Sequence, residues 1–319
     1  MLKIFFSVIL SSWILSAHAA PQVIVTIKPI HSLVAGVMKN VETPHLLLTG
    51  GESPHTYNLR PSQAKQLYDS TLIIWVGAGV ETFLIKPLEN VAKTTQVLSL
   101  ADVLKPKLLR VREGGSWEKH EEHHHDEEAK HDDHDHSAEH EAELQHLTFD
   151  QHIWLNPQNA KLIVAAIATK LSELDAANAP RYQENALALQ TRLDELDKDL
   201  QEKLRPNQAI PYLVFHDAYQ YFEQHYHLTA VGSITLSPEN PPSAKRIQQL
   251  RRLIKKLQVR CVFSEPQFES QIVNTLLEGS TVKHGTLDPI GATLIAGTEA
   301  YFELLQNLAK NFNLCLNSQ

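Results

Sequence analysis

Between Glu118 and Glu143 the chain carries eight His, twelve Asp or Glu and two Lys. The run includes His123-His124-His125 and Asp132-Asp133-His134-Asp135-His136. Imidazole nitrogens and carboxylate oxygens at this local concentration form a ligand set for a borderline divalent cation, zinc or a neighbouring transition metal. The stretch has too few apolar residues to offset the entropy of ordering, so a surface loop is expected there. Acidic residues alone would read as a solvated linker. The histidines turn the reading to metal: His120, His123, His124, His125, His131, His134, His136 and His140 are candidate secondary ligands.

Outside the tract, three histidines and one aspartate share a kind of position. His55 lies in Ser53-Pro54-His55-Thr56-Tyr57-Asn58-Leu59-Arg60-Pro61-Ser62, in a loop after the apolar run Leu46 to Leu48. His152 lies in Asp150-Gln151-His152-Ile153-Trp154-Leu155-Asn156-Pro157, just before a helix. His216 directly follows the apolar run Tyr212 to Phe215, and Asp288 follows Val282 in Gly285-Thr286-Leu287-Asp288-Pro289. A lone loop histidine is usually a surface or hydrogen-bonded residue, and Asp before Pro is often a turn former. Together, beside the tract, they point to one site.

Such a site needs elements that bring distant residues together. Val23 to Ile27, Leu46 to Leu48 and Leu72 to Val76 read as strands, with helices over Ile30 to Val37 and Ser62 to Tyr68. After Pro206 the alternation restarts. Strands are expected at Tyr212 to Phe215, Ala230 to Ile234, Val259 to Phe263 and Thr281 to His284. Helices are expected at Ala218 to His225, Ala244 to Leu257, Ser270 to Leu277 and Glu299 to Asn311. Short apolar runs alternating with helices imply α/β lobes with parallel sheets flanked by helices, and loops at the carboxyl ends of such strands converge on the ligand crevice. Between the lobes, Pro180 opens and Pro206 closes one long helix. Ala186, Leu189, Leu193, Leu196, Leu200 and Leu204 form its single apolar stripe. The expected division is an N-terminal lobe over 20–180, a rigid linking helix over 181–205 and a C-terminal lobe over 206–319. The long helix implies limited hinge motion.

The formal net charge is −8, of which the tract contributes −10, so the remainder is near neutral and offers no basic stripe for nucleic acid. Lys3, the apolar run Ile4 to Leu15 and Ala17-His18-Ala19 read as an export signal over 1–19, with the mature chain beginning at Ala20. No cysteine near that site indicates a lipid anchor, and no later segment is long and apolar enough to span a bilayer. An exported protein of the periplasm is expected. The two cysteines, Cys261 and Cys315, suggest one disulfide in an oxidising compartment, the alternative being two buried thiols.

The sequence resembles the zinc-binding receptors of bacterial zinc ABC importers, in the cluster A-I family of metal-binding receptors. The resemblance rests on Pro54 to Ser62, His152 to Pro157, Phe215 to Phe222, Phe263 to Phe268 and Gly285 to Pro289. The acidic His-rich insertion and the cysteine pair also fit, and the similarity runs over essentially the whole mature chain. It implies that His55, His152 and His216 ligate zinc. Some relatives place a ligating glutamate immediately before the first histidine, where this chain has Pro54. Asp288 matches an aspartate that ligates in manganese-type relatives, so Asp288 or a water is expected in fourth place, with Glu81 and Glu265 as outside candidates. Manganese-type relatives are expected to carry a carboxylate where His216 stands. Three imidazoles and at most one carboxylate suit tetrahedral zinc. Asp217, beside a ligand, reads either as its orienter or as a helix N-cap.

The expected function is therefore a zinc receptor, not an enzyme, that delivers its ion as a monomer to an inner-membrane ABC permease. Three histidines and a water are also a catalytic arrangement, so a zinc enzyme is one alternative. A surface adhesin or a zinc buffer built on the tract is the other.

Overall fold

The computed structural model of the chain describes residues 20–114, 116–117, 148–235, 242–268 and 271–317. The expected export signal and all eight histidines of the tract lie outside the described residues.

The first half contains β1 (Val23–Val25), α1 (Lys28–Val37), β2 (His45–Leu46), α2 (Pro61–Asp69), β3 (Leu72–Trp75), α3 (Ile85–Glu89), β4 (Gln96–Ser99) and α4 (Leu100–Val103). Its strands form a parallel sheet in the order β2-β1-β3-β4. The central strands read Val-Ile-Val and Leu-Ile-Ile-Trp, and all but Trp75 are buried. Continuous apolar runs are what a strand needs when helices cover both faces. Beyond β2 the N–H groups of Leu47 and Leu48 donate to the carbonyls of Val25 and Thr26, so the chain follows the sheet edge into the loop that carries His55.

A two-stranded antiparallel ribbon follows, β5 (Leu109–Arg110) with β6 (Phe149–Asp150). It brackets the His-rich stretch in sequence. Next come α5 (Pro157–Leu174) and α6 (Ala179–Leu204). Asn156 caps α5 by accepting from the Gln158 N–H, and Pro157 occupies its first turn. The two helices run antiparallel, as bonds from Gln158 to Asp197, Lys161 to Asp194 and Gln183 to Ser172 require. All six stripe residues of α6 are buried, joined by Tyr182.

The second half contains β7 (Tyr212–Val214), α7 (Gln220–Tyr226), β8 (Ala230–Ser233), α8 (Ala244–Leu257), β9 (Cys261–Ser264), α9 (Gln271–Leu277), β10 (Lys283–Thr286) and α10 (Ala300–Leu316). The strands form a parallel sheet in the order β10-β9-β7-β8. The last strand sits two residues later than its apolar run suggests. Along β7 the side chains alternate. Tyr212 and Val214 join the main core, whereas Leu213 and Phe215 join a smaller core under α8 and α9.

The main core is continuous across both halves: Val25, Leu193, Tyr212, Phe263 and Phe312 belong to one buried cluster. The long helix is thus built into a shared interior and is more than a strut between lobes. Cys261 and Cys315 form a disulfide, with Cα atoms 6.0 Å apart, that ties α10 to β9.

Candidate metal centre

Three of the histidines read from the sequence meet. One nitrogen from each of His55, His152 and His216 lies within 4.8 Å of the others, and no other such group of three His, Cys, Asp or Glu occurs among the described residues. The ring centroids are 5.3, 5.4 and 5.7 Å apart. The residues reach this point by different routes. His55 rides the loop between β2 and α2, which is closed at its base by Gln63: Tyr57 and the Arg60 N–H donate to Gln63, whose amide donates to the Leu47 carbonyl. His216 leaves the end of β7, where the strand order reverses between β8 and β9, the usual place for a ligand crevice. His152 departs from the expected pattern. It follows the ribbon strand β6 rather than a strand of either parallel sheet.

Two of the three imidazoles are held by carboxylates. Asp150 Oδ1 lies 2.8 Å from His152 Nδ1 and also accepts the His152 backbone N–H at 2.9 Å. Glu265 Oε1 lies 2.7 Å from His216 Nδ1. A carboxylate can only accept, so each Nδ1 carries the proton and each Nε2 keeps its lone pair for the site. His216 Nε2 is buried and without a protein partner among the described residues. The Nε2 atoms of His55 and His152 stand 3.3 Å apart. Two nitrogens bound to one tetrahedral zinc at its usual bond length are separated by about 3.3–3.4 Å. The donor set therefore fits the ion, and the His55–His152 pair has the spacing of one edge of its shell.

Burial and the neighbouring imidazoles hold His55 well below the ordinary histidine range, so it is neutral and ready to ligate. Burial also acts to lower His216, but the charge and hydrogen bond of Glu265 outweigh it and raise the group. The cavity has a volume of about 10 Å³, lined by Pro54, Trp154, Glu265, Gln267, Phe268 and Ile290 around the histidines. That is the scale of one ion or water and far below the usual volume of an organic ligand pocket.

Asp288 is not part of the histidine group. Its Oδ1 accepts from the Gln267 amide at 2.8 Å and from the N–H groups of Ile290 and Gly291, and its Oδ2 accepts from Ala292 N–H at 2.7 Å. The carboxylate organises the turn after Pro289. Pro54 contributes wall and no donor. Glu81 is fully buried in the loop after β3, where it receives Thr26 Oγ1–H and the N–H groups of Val76 and Gly77. Asp217 is neither orienter nor N-cap: Arg112 donates to both its oxygens and also pairs with Glu223 at 2.8 Å. Sequence reasoning left Asp150 without a role. Its one signal is the spacing Asp-x-His at a strand end.

The chain matches the family model for the zinc-uptake complex component A, periplasmic, over residues 23–315. The chain belongs to this ZnuA family. It is 44% identical over 305 residues to the high-affinity zinc uptake system protein of Brucella suis, covering 92% of this chain and 91% of that protein. The protein of the same description from Yersinia pestis is 36% identical over 299 residues, covering 93% and 92%. A crystal structure of ZnuA superposes with a TM-score of 0.75 at 23% identity, covering 93% of this chain and 99% of that one. The periplasmic zinc-binding protein TroA of Treponema pallidum gives 0.75 at 20% identity, with the same coverage. These two share the ZnuA-family fold of two parallel sheets flanked by helices and a long helix between them. Among the described residues no helix is long and apolar enough to cross a membrane.

Proposed function

We propose that this chain is a periplasmic zinc receptor that holds one Zn²⁺ between its lobes and delivers it to a membrane permease of the ABC type. The observation that carries this reading is the convergence of three imidazoles, with His55 and His152 Nε2 atoms at the spacing of a tetrahedral edge. Two of them are oriented by carboxylates from opposite halves, Asp150 and Glu265. His55, His152 and His216 are the ligands, and a fourth oxygen donor completes the shell. The lobes divide at 20–180 and 206–319, joined by the helix over 181–205, and the receptor acts as a monomer after removal of residues 1–19.

A cavity of about 10 Å³ admits a metal ion and excludes an organic substrate, which favours a carrier over a hydrolase. The tract histidines, from His120 to His140, bind further zinc more weakly than the cleft. Calorimetric zinc titration of a chain lacking residues 118–143 tests the assignment. One tight equivalent should remain, and it should vanish in His55→Ala, His152→Ala and His216→Ala. Loss of all tight binding on deleting the tract would refute the cleft site.

A further inference from the structure

The three histidines supply three of the four donors that a tetrahedral zinc takes, and Asp288 accepts hydrogen bonds from Gln267 and from the turn after Pro289. The cavity wall also holds a neutral amide that the site has not used. Gln267 lines the same cavity, and its side-chain oxygen Oε1 is buried with no partner among the described residues. Its orientation is fixed by Asp288. A carboxylate has no proton to give at neutral pH, and Asp288 Oδ1 is already an acceptor for two backbone N–H groups. The Gln267 side chain must therefore turn its NH₂ toward Asp288, with Nε2 at 2.8 Å from Oδ1. The amide's other end, the acceptor, is left for the cavity. Glu265, the remaining wall carboxylate, holds His216 Nδ1 through Oε1, while its Oε2 is buried without a partner among the described residues and faces the Tyr219 hydroxyl.

We propose that Gln267 is the positioning residue for the fourth ligand: its Oε1 accepts a hydrogen bond from a water that completes the zinc shell, and Asp288 acts through Gln267 rather than on the ion. This rests on the receptor reading and adds to it the identity of the fourth donor. A metal-bound water is a strong donor with lone pairs committed to the cation, so it needs an acceptor in the wall. A neutral amide oxygen meets that need without adding a charge to the site. The shell of three nitrogens and a neutral water favours zinc over ions that ask for carboxylate oxygens.

The test uses the full mature chain and reads the tightest zinc equivalent by chelator competition. His152→Ala is the reference and should abolish that equivalent. Gln267→Met and Asp288→Ala should each weaken it by about 10–100-fold, the usual effect of losing an outer-shell partner. The double variant should be no weaker than the worse single one, because the two residues act in one chain. Apo melting temperatures of the variants separate this from a general loss of structure, and Gln267→Leu serves as a second apolar replacement. Cobalt(II) in place of zinc gives a second readout: its visible bands should shift in Gln267→Met, where the bound water loses its acceptor. Wild-type affinity in Gln267→Met and Gln267→Leu would overturn the proposal. So would an Asp288→Ala effect equal to that of His152→Ala, which would make Asp288 the ligand. Indifference of the tight equivalent to His152→Ala would instead overturn the receptor reading itself.

Discussion

Glu265 Oε1 lies 2.7 Å from Nδ1 of His216, and both side chains are buried. The contact has two effects of opposite sign on metal binding. It fixes the tautomer and makes Nε2 a better donor, which favours zinc. It also raises the pKa of His216 against the pull of burial, so protons compete for the site from a higher pH.

Glu265→Gln should separate these effects. Zinc affinity at pH 8 should fall by about tenfold or more, since a neutral amide accepts more weakly than a carboxylate. Burial would then act on His216 with less opposition and its pKa should drop. The pH at which binding fades should therefore move down, although the plateau affinity is lower. Competition titrations between pH 5 and 8 give both quantities from one set of curves. A parallel loss of affinity at every pH would leave the coupling without support.

The histidines and the alternating elements could be read from sequence because each depends on local pattern. An apolar run such as Val23 to Ile27 says strand whatever surrounds it, and His216 is one residue past such a run. The ribbon was hidden, because each strand is only two residues long and its partners lie on opposite sides of the His-rich stretch. The edge strand β4 was hidden too, since Gln96 and Val97 are exposed and carry no burial signal. Asp288 illustrates a deeper limit. An aspartate before proline looks the same whether or not its oxygens hold a turn, and only the positions of Ile290, Gly291 and Ala292 show that these oxygens do.

Glu81 predicts a pH dependence of stability in the apo protein. Burial raises it from 4.5 to about 7, although Thr26, Val76 and Gly77 donate to it. A folded pKa above the unfolded one means the native state holds the extra proton between those values. The stability contributed by that proton is full below 4.5 and is lost as pH rises through about 7. Glu81→Gln keeps the shape and removes the charge. Relative to wild type it should gain stability from pH 5 to pH 8, by on the order of 3 kcal/mol at most. Denaturant unfolding at a series of pH values measures the difference. A constant offset between the two proteins would mean that the buried carboxylate does not titrate there.

The two halves are tied across the cleft at several points. Lys28 Nζ donates to the carbonyls of Gly291 and Ala292 at 2.8 Å each, Trp154 donates to Pro289 O at 2.7 Å, and Tyr301 donates to Trp154 O at 2.7 Å. Beneath them the core is shared. Wide opening would break these bonds and expose buried apolar surface together, at a cost of several kcal/mol. Solution scattering of the apo and zinc-loaded chain without the tract should therefore show nearly superimposable profiles. A large compaction on loading would show that the halves hinge freely.

Arg112 supplies the sharpest stability prediction. Its guanidinium sits between the partly buried carboxylate of Asp217 and the buried one of Glu223, and stacks 3.7 Å from the Trp117 ring centroid. Burial opposes its charge, but the two carboxylates more than compensate and raise its pKa. The same region fastens the ribbon to α7, where the Tyr221 hydroxyl donates to Asp150 O and accepts the Leu109 N–H. Arg112→Met keeps much of the packing and removes the cation, which leaves the buried Glu223 carboxylate facing the partly buried one of Asp217. Removing one partner of a buried ion pair costs about 3–5 kcal/mol. Asp217→Asn in the same chain should recover part of that loss by relieving the repulsion. Because the ribbon delivers Asp150 and His152, zinc affinity should also fall, by less than in His152→Ala. Equilibrium unfolding and zinc titration of the single and double variants give both numbers, and an Arg112→Met protein as stable as wild type would show that the cluster is not a clasp.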